Sequence, residues 1–210
     1  MLDSFHMVDD IFFKPPVHGR IVNWLGPEMV ARLLDFAQTH RDDFHPSGVS
    51  NPIDGGKRID PTIRRSQKVK PSGELRDELK SGARAALPEM CRQLGSGRFE
   101  PSDFEIEMVA HGDGAFFTKH RDRLMGPYSH RRVISAVYYF HRMPKSFTGG
   151  VLRLYPVASS KQSAAFVDIE PANDTLVFFP SWFPHEVLPV KCPSGQFEDS
   201  RFAINCWFHC

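Results

Sequence analysis

The stretch FEIEMVAHGDGAFFTKHRD, residues 104–122, decides the predicted fold. It holds two short β-type runs, separated by the turn signal GDG, and the second run leads directly into His120. The pattern therefore predicts a β-hairpin with His120 and Asp122 at one of its ends.

Similar short runs fill the rest of the chain, and most are separated by turn signals such as GG, PAND and PSG. Eight strands at a spacing of about 10 residues indicate a sandwich or barrel. The predicted fold class is α+β, mainly β, with a jelly roll (double-stranded β-helix) over residues 98–210. The runs are FEIEMVAH, AFFTKH, RRVISAVYYF, VLRLY, AAFVDI, DTLVFF, HEVLPV and RFAINCWF.

The segment before this core is predicted to be partly helical. Apolar residues recur at helical spacing over 27–40 and over 74–94, and Pro88 is expected to end or kink the second helix. Residues 41–62 are predicted to be loop, and 64–70 a short strand. Residues 1–97 would thus form an extension packed on the core, giving one structural domain overall.

Composition narrows the possible partners. The 210 residues carry a net charge of +1, so no basic excess suggests nucleic acid. A membrane helix needs about 20 apolar residues in a row, and the sequence has no such run. The four cysteines show no disulfide or zinc spacing, which predicts a cytoplasmic protein. The oligomeric state is not determined by these features.

A metal site is predicted from an H-x-D pair and a later histidine. His120 and Asp122 are two residues apart, so on a strand both side chains point to one face. His185 begins a later β-type run and can supply a third ligand. Two histidines and one carboxylate form the facial triad of non-haem Fe(II) oxygenases. Each residue alone is equally compatible with a structural role, so the prediction rests on their conjunction.

Arg201 begins the last β-type run and shares a face with Ala203, Asn205 and Trp207. An arginine that faces into a barrel needs an anion, since an unpaired buried charge is costly. A dicarboxylate cosubstrate held bidentately is one candidate. A salt bridge to Glu186 or Asp199 is the other.

The order of these motifs resembles the 2-oxoglutarate and Fe(II)-dependent dioxygenases, in particular the prolyl 4-hydroxylase branch that acts on hypoxia-inducible factor. The resemblance covers about residues 104–208 through HRD, RRVISAVYYF, GGVLRLYP, DIEPANDTLVFFPS, PHEVLPV and SRFAINCWF. Upstream, IRRSQKV is similar to a strand that borders the site in this branch.

The resemblance implies that His120, Asp122 and His185 bind Fe(II). It also implies that Arg201 and Tyr139 hold the distal carboxylate of 2-oxoglutarate. A core aromatic role is the alternative for Tyr139. O2 is the further cosubstrate, and a supporting role for ascorbate is left open.

The other expected site residues fit the pattern less closely. Asn205 stands where a threonine or serine often assists the arginine, and Trp207 is expected beside the iron. His111 lies at or near the position of a family tyrosine, so it either contacts 2-oxoglutarate or substrate or lies on the rim. The loop 123–130 is expected to be a substrate-facing flap. Four arginines could bind an acidic substrate group or form a solvated surface: Arg64, Arg65, Arg121 and Arg123.

The predicted function is hydroxylation of an unactivated C–H bond with release of succinate and CO2. Asp122 favours hydroxylation over halogenation, whereas desaturation and epimerisation stay open. The substrate would be a prolyl or other residue in a peptide or protein, a free or carrier-bound amino acid, or another small metabolite. A catalytically silent jelly-roll binding protein and a cupin-type isomerase are the competing classes.

Overall fold

The computed structural model describes residues 15–50, 56–123, 132–157 and 166–210. Within them lie two α-helices, α1 (Gly26–Thr39) and α2 (Gly73–Leu94). Both lie where the apolar periodicity predicts them. Two single-turn 3₁₀ helices are also present, Arg41–Asp43 and Phe197–Asp199.

The strands build two antiparallel sheets. We number them β1 Gly19–Val22, β2 His45–Pro46, β3 Val49–Ser50, β4 Lys57–Arg58, β5 Arg64–Arg65, β6 Gln67–Val69, β7 Asp103–His111, β8 Phe116–His120, β9 Arg132–Phe140, β10 Thr148–Gly149, β11 Leu152–Leu154, β12 Val167–Ile169, β13 Thr175–Pro180, β14 His185–Val187, β15 Val190–Lys191 and β16 Arg201–His209.

The larger sheet has the order β1-β13-β9-β16-β7-β6-β2, and the smaller sheet the order β12-β11-β14-β8-β5. Each sheet holds four of the eight strands predicted for residues 98–210. Two short pairs, β10 with β15 and β3 with β4, lie beside them. The mainly β jelly-roll prediction is therefore confirmed.

The larger sheet is apolar on its outer face, and both helices cover that face. Helix residues such as Leu33, Leu79 and Met90 pack there against strand residues such as Tyr138 and Phe208 in one buried cluster. Because side chains alternate along a strand, the neighbouring positions point to the other face, toward the smaller sheet. A smaller apolar cluster lies between the sheets and is made of Tyr139, Leu152, Leu154, Val177, Phe179 and Ala203.

Helix α2 continues through Pro88, so of the two predicted alternatives the end of the helix is wrong, and the kink stays a prediction. The turn after Pro88 carries Met90 and Cys91, which are buried against the sheet. Their burial offsets the cost of the missing hydrogen bond. The helix instead ends at Gly95, which adopts a left-handed backbone with φ 65°.

Residues before 97 contribute strands as well as helices. Strand β1 pairs with β13 at one edge of the larger sheet, β6 pairs with β7, and β5 pairs with β8 in the smaller sheet. The predicted loop 41–62 also holds the short strands β2, β3 and β4. The division of the chain at residue 97 stays a prediction. In the structure, each of the two sheets contains strands from before and from after this residue.

In the described part of the chain, neither helix combines the length and the apolar character that a membrane crossing requires.

Asp174 joins helix α1 to the sheet. Its carboxylate accepts hydrogen bonds from the backbone N–H groups of Leu25 and Gly26, both at 3.0 Å, at the start of α1. It also accepts one from the buried Tyr138 hydroxyl at 2.8 Å. Its own φ is 51°, a conformation that aspartate tolerates better than most residues.

We expect Asp174→Ala to lower the free energy of unfolding by about 3 kcal/mol, because it leaves helix-terminal N–H groups and a buried hydroxyl without their partner. Urea unfolding followed by circular dichroism measures this. Asp168→Ala is the matched control, since it removes only a partly exposed pair with Arg153 and should cost less than about 1 kcal/mol. Equal losses in the two variants would contradict the role of Asp174.

Candidate active site

Three potential metal ligands converge between the sheets. His120 lies at the end of β8 and His185 at the start of the neighbouring β14, where the two residues are directly paired. Asp122 follows β8 by two residues. One ligand atom from each residue lies within 4.8 Å of the others. The structure therefore brings together the three residues that the H-x-D prediction selected.

Backbone carbonyls fix the orientation of both imidazoles. Nδ1 of His120 is 2.8 Å from the Thr118 carbonyl oxygen, and Nδ1 of His185 is 2.9 Å from that of Phe183. A carbonyl only accepts, so each Nδ1 carries the proton and each Nε2 keeps a free lone pair. The two Nε2 atoms are 3.8 and 3.5 Å from carboxylate oxygens of Asp122.

At neutral pH His120 is a neutral imidazole and Asp122 is an ionised carboxylate. Burial, with the nearby charge of His185, lowers the pKa of His120 to about 3. Burial alone would raise the pKa of Asp122, but the neighbouring imidazoles of His185 and His120 and the guanidinium of Arg132 lower it to about 2. Metal ligands must be deprotonated, so this donor set suits a divalent cation.

A serine pair holds Asp122, and the sequence prediction missed it. The Ser135 hydroxyl donates to Oδ2 of Asp122 at 2.7 Å, and the Ser181 hydroxyl, 2.9 Å from Ser135, can donate to it in turn. Both serines are buried. The sequence does contain a signal for Ser135. This polar residue lies on the same face of β9 as Val137 and Tyr139, and that face points into the cavity.

Arg201 lies deeper in the same cavity, and it is fully buried. Its Nε donates to the Gly150 carbonyl at 2.8 Å, and one Nη is 3.2 Å from Nδ1 of His111. Glu186 instead accepts from the Tyr155 hydroxyl, and Asp199 from Ser194. The proposed salt bridge of Arg201 to one of these acids is therefore absent, and no other carboxylate of the described residues pairs with it.

Gly150 allows this approach of the arginine. A Cβ at Gly150 would come within 2.5 Å of Cδ of Arg201, and the residue has a φ of 65°. Both facts require glycine. The second glycine of the GGVLRLYP motif thus contributes to the site because it leaves room for the Arg201 side chain.

Tyr139 faces Arg201, with the guanidinium carbon 4.8 Å from the ring centroid. Within the described part of the chain, its buried hydroxyl makes no hydrogen bond of regular geometry. Burial raises its pKa, against the opposing effect of the Arg201 charge. The geometry thus favours a ligand-binding role for Tyr139 over that of a core tyrosine with a satisfied hydroxyl. A buried hydroxyl and a buried cation that no carboxylate of the described residues pairs with fit one carboxylate of a ligand.

The remaining predicted residues are partly accounted for. His111 is buried rather than on the rim, and burial together with Arg201 and Arg64 lowers its pKa far below the usual value, so it accepts the Arg201 hydrogen bond as neutral imidazole. Asn205 and Trp207 line the cavity. The flap expected at 123–130 lies outside the described residues, apart from Arg123.

One cavity of about 510 Å³ joins the metal-ligand cluster to Arg201 and Tyr139. At one part it contains the carboxylate and imidazole ligands that Fe(II) needs. Further in, it contains the guanidinium and hydroxyl hydrogen-bond donors that a carboxylate needs. The residues present therefore fit both an iron ion and a dicarboxylate. A sandwich with this donor set defines the class of non-haem Fe(II) oxygenases.

Comparison with known proteins gives the family. A family model described as the 2OG-Fe(II) oxygenase superfamily matches residues 106–209. An uncharacterized PKHD-type hydroxylase from Synechocystis is 32% identical over 97% of this chain and 67% of its own length. The chain belongs to the 2OG-Fe(II) oxygenase superfamily. This family uses Fe(II) as its cofactor and 2-oxoglutarate and O2 as cosubstrates.

Other similar proteins agree with this assignment. Egl nine homolog 1 from rat is 32% identical over 55% of this chain, which spans only 31% of that relative. A prolyl-4-hydroxylase from Pseudomonas putida has a TM-score of 0.65 at 25% identity, covering 96% of both chains. A prolyl hydroxylase from Trichoplax adhaerens, bound to a hypoxia-inducible-factor peptide, has a TM-score of 0.67 over 92% of this chain and 83% of its own, and at 23% identity it shows the fold alone.

We expect Ser135→Ala to weaken divalent metal binding by about tenfold, because Asp122 loses the hydrogen bond that orients it. Titration of the apoprotein with Co(II), followed by visible absorption, measures the affinity. Ser47→Ala removes another buried serine, hydrogen-bonded at 2.9 Å to Ser66, and should leave metal affinity unchanged. Unchanged affinity in Ser135→Ala would exclude the orienting role.

Proposed function

We propose that this protein hydroxylates a prolyl residue in a peptide or protein, with Fe(II), 2-oxoglutarate and O2, and releases succinate and CO2. The observation that carries the proposal is the shared cavity. It places His120, Asp122 and His185 at one part and an unpaired Arg201 with the partnerless Tyr139 hydroxyl at another.

The names of the similar proteins support the prolyl part of the proposal. The Pseudomonas putida structure is a prolyl-4-hydroxylase, and the Trichoplax protein is a prolyl hydroxylase bound to a peptide. The Synechocystis relative, which matches nearly the whole chain, is a PKHD-type hydroxylase. These descriptions favour an amino-acid residue over an unrelated metabolite.

In this proposal His120, Asp122 and His185 hold the iron through both Nε2 atoms and the carboxylate. Three ligands on one side of a metal leave positions for the cosubstrates. Ser135 keeps Asp122 in place, and the Thr118 and Phe183 carbonyls keep the two imidazoles in the correct tautomer. Bound Fe(II) with 2-oxoglutarate and O2 supplies an oxidant able to attack an unactivated C–H bond.

Arg201 and Tyr139 bind the distal carboxylate of 2-oxoglutarate. The arginine is aimed by Gly150 and His111, so few rotamers are lost when the anion binds. Asn205 lies four residues from Arg201 on β16 and lines the same cavity, and it is assigned a contact with the cosubstrate, as is His111. Val137, Leu152 and Val187 line the cavity and exclude water from it.

A cytoplasmic location is part of the proposal. All four cysteines lie in the described residues as free thiols, three buried and Cys210 exposed. This agrees with a reducing compartment.

We expect the anaerobic protein with Fe(II) and 2-oxoglutarate to show a broad visible charge-transfer band. The band should be absent in His120→Ala, because a metal ligand is lost. In Arg201→Gln, the concentration of 2-oxoglutarate that gives half of the maximal band intensity should rise at least about tenfold. The reason is the loss of the charge-assisted hydrogen bonds between the guanidinium and the distal carboxylate.

Arg98→Gln is the matched control for Arg201→Gln, since Arg98 is exposed and does not line the cavity. A wild-type protein that binds Fe(II) but gives no band with 2-oxoglutarate would refute the oxygenase proposal and favour a binding protein. Coupled succinate release with capped prolyl peptides, compared with free proline, then tests the substrate.

A further inference from the structure

A second arginine lines the cavity without a carboxylate partner. Arg64 lies on β5 at the edge of the smaller sheet, where it pairs with Phe117 of β8. It is half-buried, and burial lowers its pKa. No carboxylate oxygen of the described residues lies within ion-pair distance of its guanidinium.

The guanidinium is held in place by neutral groups. Nε donates to the Ser66 hydroxyl at 3.0 Å, and one Nη is 3.4 Å from the Gly48 carbonyl oxygen. The guanidinium carbon also lies 4.7 Å from the centroid of the Phe117 ring. These contacts restrict Arg64 while leaving its positive charge without a counter-ion.

Arg64 is close to the candidate metal centre. The Phe117 ring that it covers also stacks on the imidazole of His120, with centroids 3.5 Å apart and planes inclined by 17°. One aromatic ring therefore separates the arginine from a metal ligand. A small group bound at Arg64 would therefore lie in the same cavity as the candidate metal ligands.

The other buried cations of the cavity wall have partners. Lys68 contacts Glu107 at 2.6 Å, and Arg132 contacts Glu105 at 3.0 Å. Lys57, Arg58 and Arg121 also line the cavity but are exposed to solvent. Among the described residues, Arg64 and Arg201 are thus the two shielded cations of the cavity that lack an acid.

The cosubstrate accounts for Arg201 but not for Arg64. With Fe(II), Asp122, the 2-oxoglutarate dianion and Arg201 together, the formal charges cancel. Glu107 and Asp122 both attract Arg64 through space, yet Glu107 contacts Lys68 and Asp122 is assigned to the metal. Counting only the described residues, one shielded positive charge therefore remains near the metal site after every proposed ligand is bound.

We propose that Arg64 binds a carboxylate of the primary substrate, so that the oxidised residue lies next to an acidic group. This inference rests on the proposed function and adds a substrate class to it. A guanidinium grips a carboxylate bidentately, which would fix the substrate relative to the iron. In a peptide the group is a neighbouring aspartate or glutamate, and in a free amino acid it is the α-carboxylate.

The test measures binding rather than turnover. The protein is loaded with Mn(II) and 2-oxoglutarate, and the paramagnetic relaxation of probe protons reports their approach to the metal. The probes are Ac-Glu-Pro-Gly-NH2 and Ac-Gly-Pro-Glu-NH2, each compared with its glutamine counterpart. Free L-proline and L-prolinamide form the second arm.

We expect at least one acidic probe to be relaxed more than its amide counterpart by the wild type. Arg64→Gln should reduce its affinity by about tenfold, and Arg64→Lys should keep part of the preference. Arg65→Gln is the matched control, because Arg65 is the neighbouring arginine on β5 and is exposed. Circular dichroism checks that each variant is folded.

Equal relaxation by the acidic and neutral probes in both arms would overturn the proposal. So would an unchanged preference in Arg64→Gln. A preference confined to L-proline over L-prolinamide, and lost in Arg64→Gln, supports the carboxylate position and assigns it to a small-molecule substrate.

The 2-oxoglutarate affinity separates this inference from the proposed function. Arg64→Gln should change it less than about twofold, whereas Arg201→Gln weakens it by about tenfold. An equal loss in both variants would assign Arg64 to the cosubstrate and overturn the inference. A wild type that fails to bind 2-oxoglutarate would refute the proposed function, and the probes would then be compared with Mn(II) alone.

Discussion

The two faces of the larger sheet have opposite character, and the rest of the structure depends on that difference. Alternate residues of β16 face the helices as Phe202, Ile204 and Phe208, or face the smaller sheet as Arg201 and Asn205. The apolar face must be covered, which places α1 and α2. The polar face then has to close over a cavity rather than a solid core, because charged side chains need ligands or water.

Within that cavity, precision comes from neutral groups. Carbonyls of Thr118 and Phe183 orient the imidazoles, Ser135 orients Asp122, and the Gly150 carbonyl orients Arg201. None of these groups cancels the charge that it positions. The charged groups stay available for a metal and for carboxylates, while their rotamers are fixed in advance.

The sequence was sufficient to predict the eight main strands after residue 98 and the three converging metal-ligand candidates, since strand parity and turn residues are local. It missed the short strands β1 to β4. It also placed Tyr139 opposite Arg201 through the family resemblance. It could not predict the Lys68–Glu107 pair or the isolation of Arg64, because these depend on how β6 pairs with β7 and how β5 pairs with β8. Register between distant segments has no local signal. At Pro88 the sequence does contain a local signal, a helix breaker, but the burial of Met90 and Cys91 against the sheet outweighs it and the helix continues.

The position of β16 has a consequence for how the protein is made. Of the described strands it is the latest in chain order, yet it lies in the middle of the larger sheet between β7 and β9. On the ribosome, both of those strands must wait with unpaired edges until it emerges. Arg201 arrives with it, so the buried arginine of the cavity and the central strand of the sheet are completed in the same step.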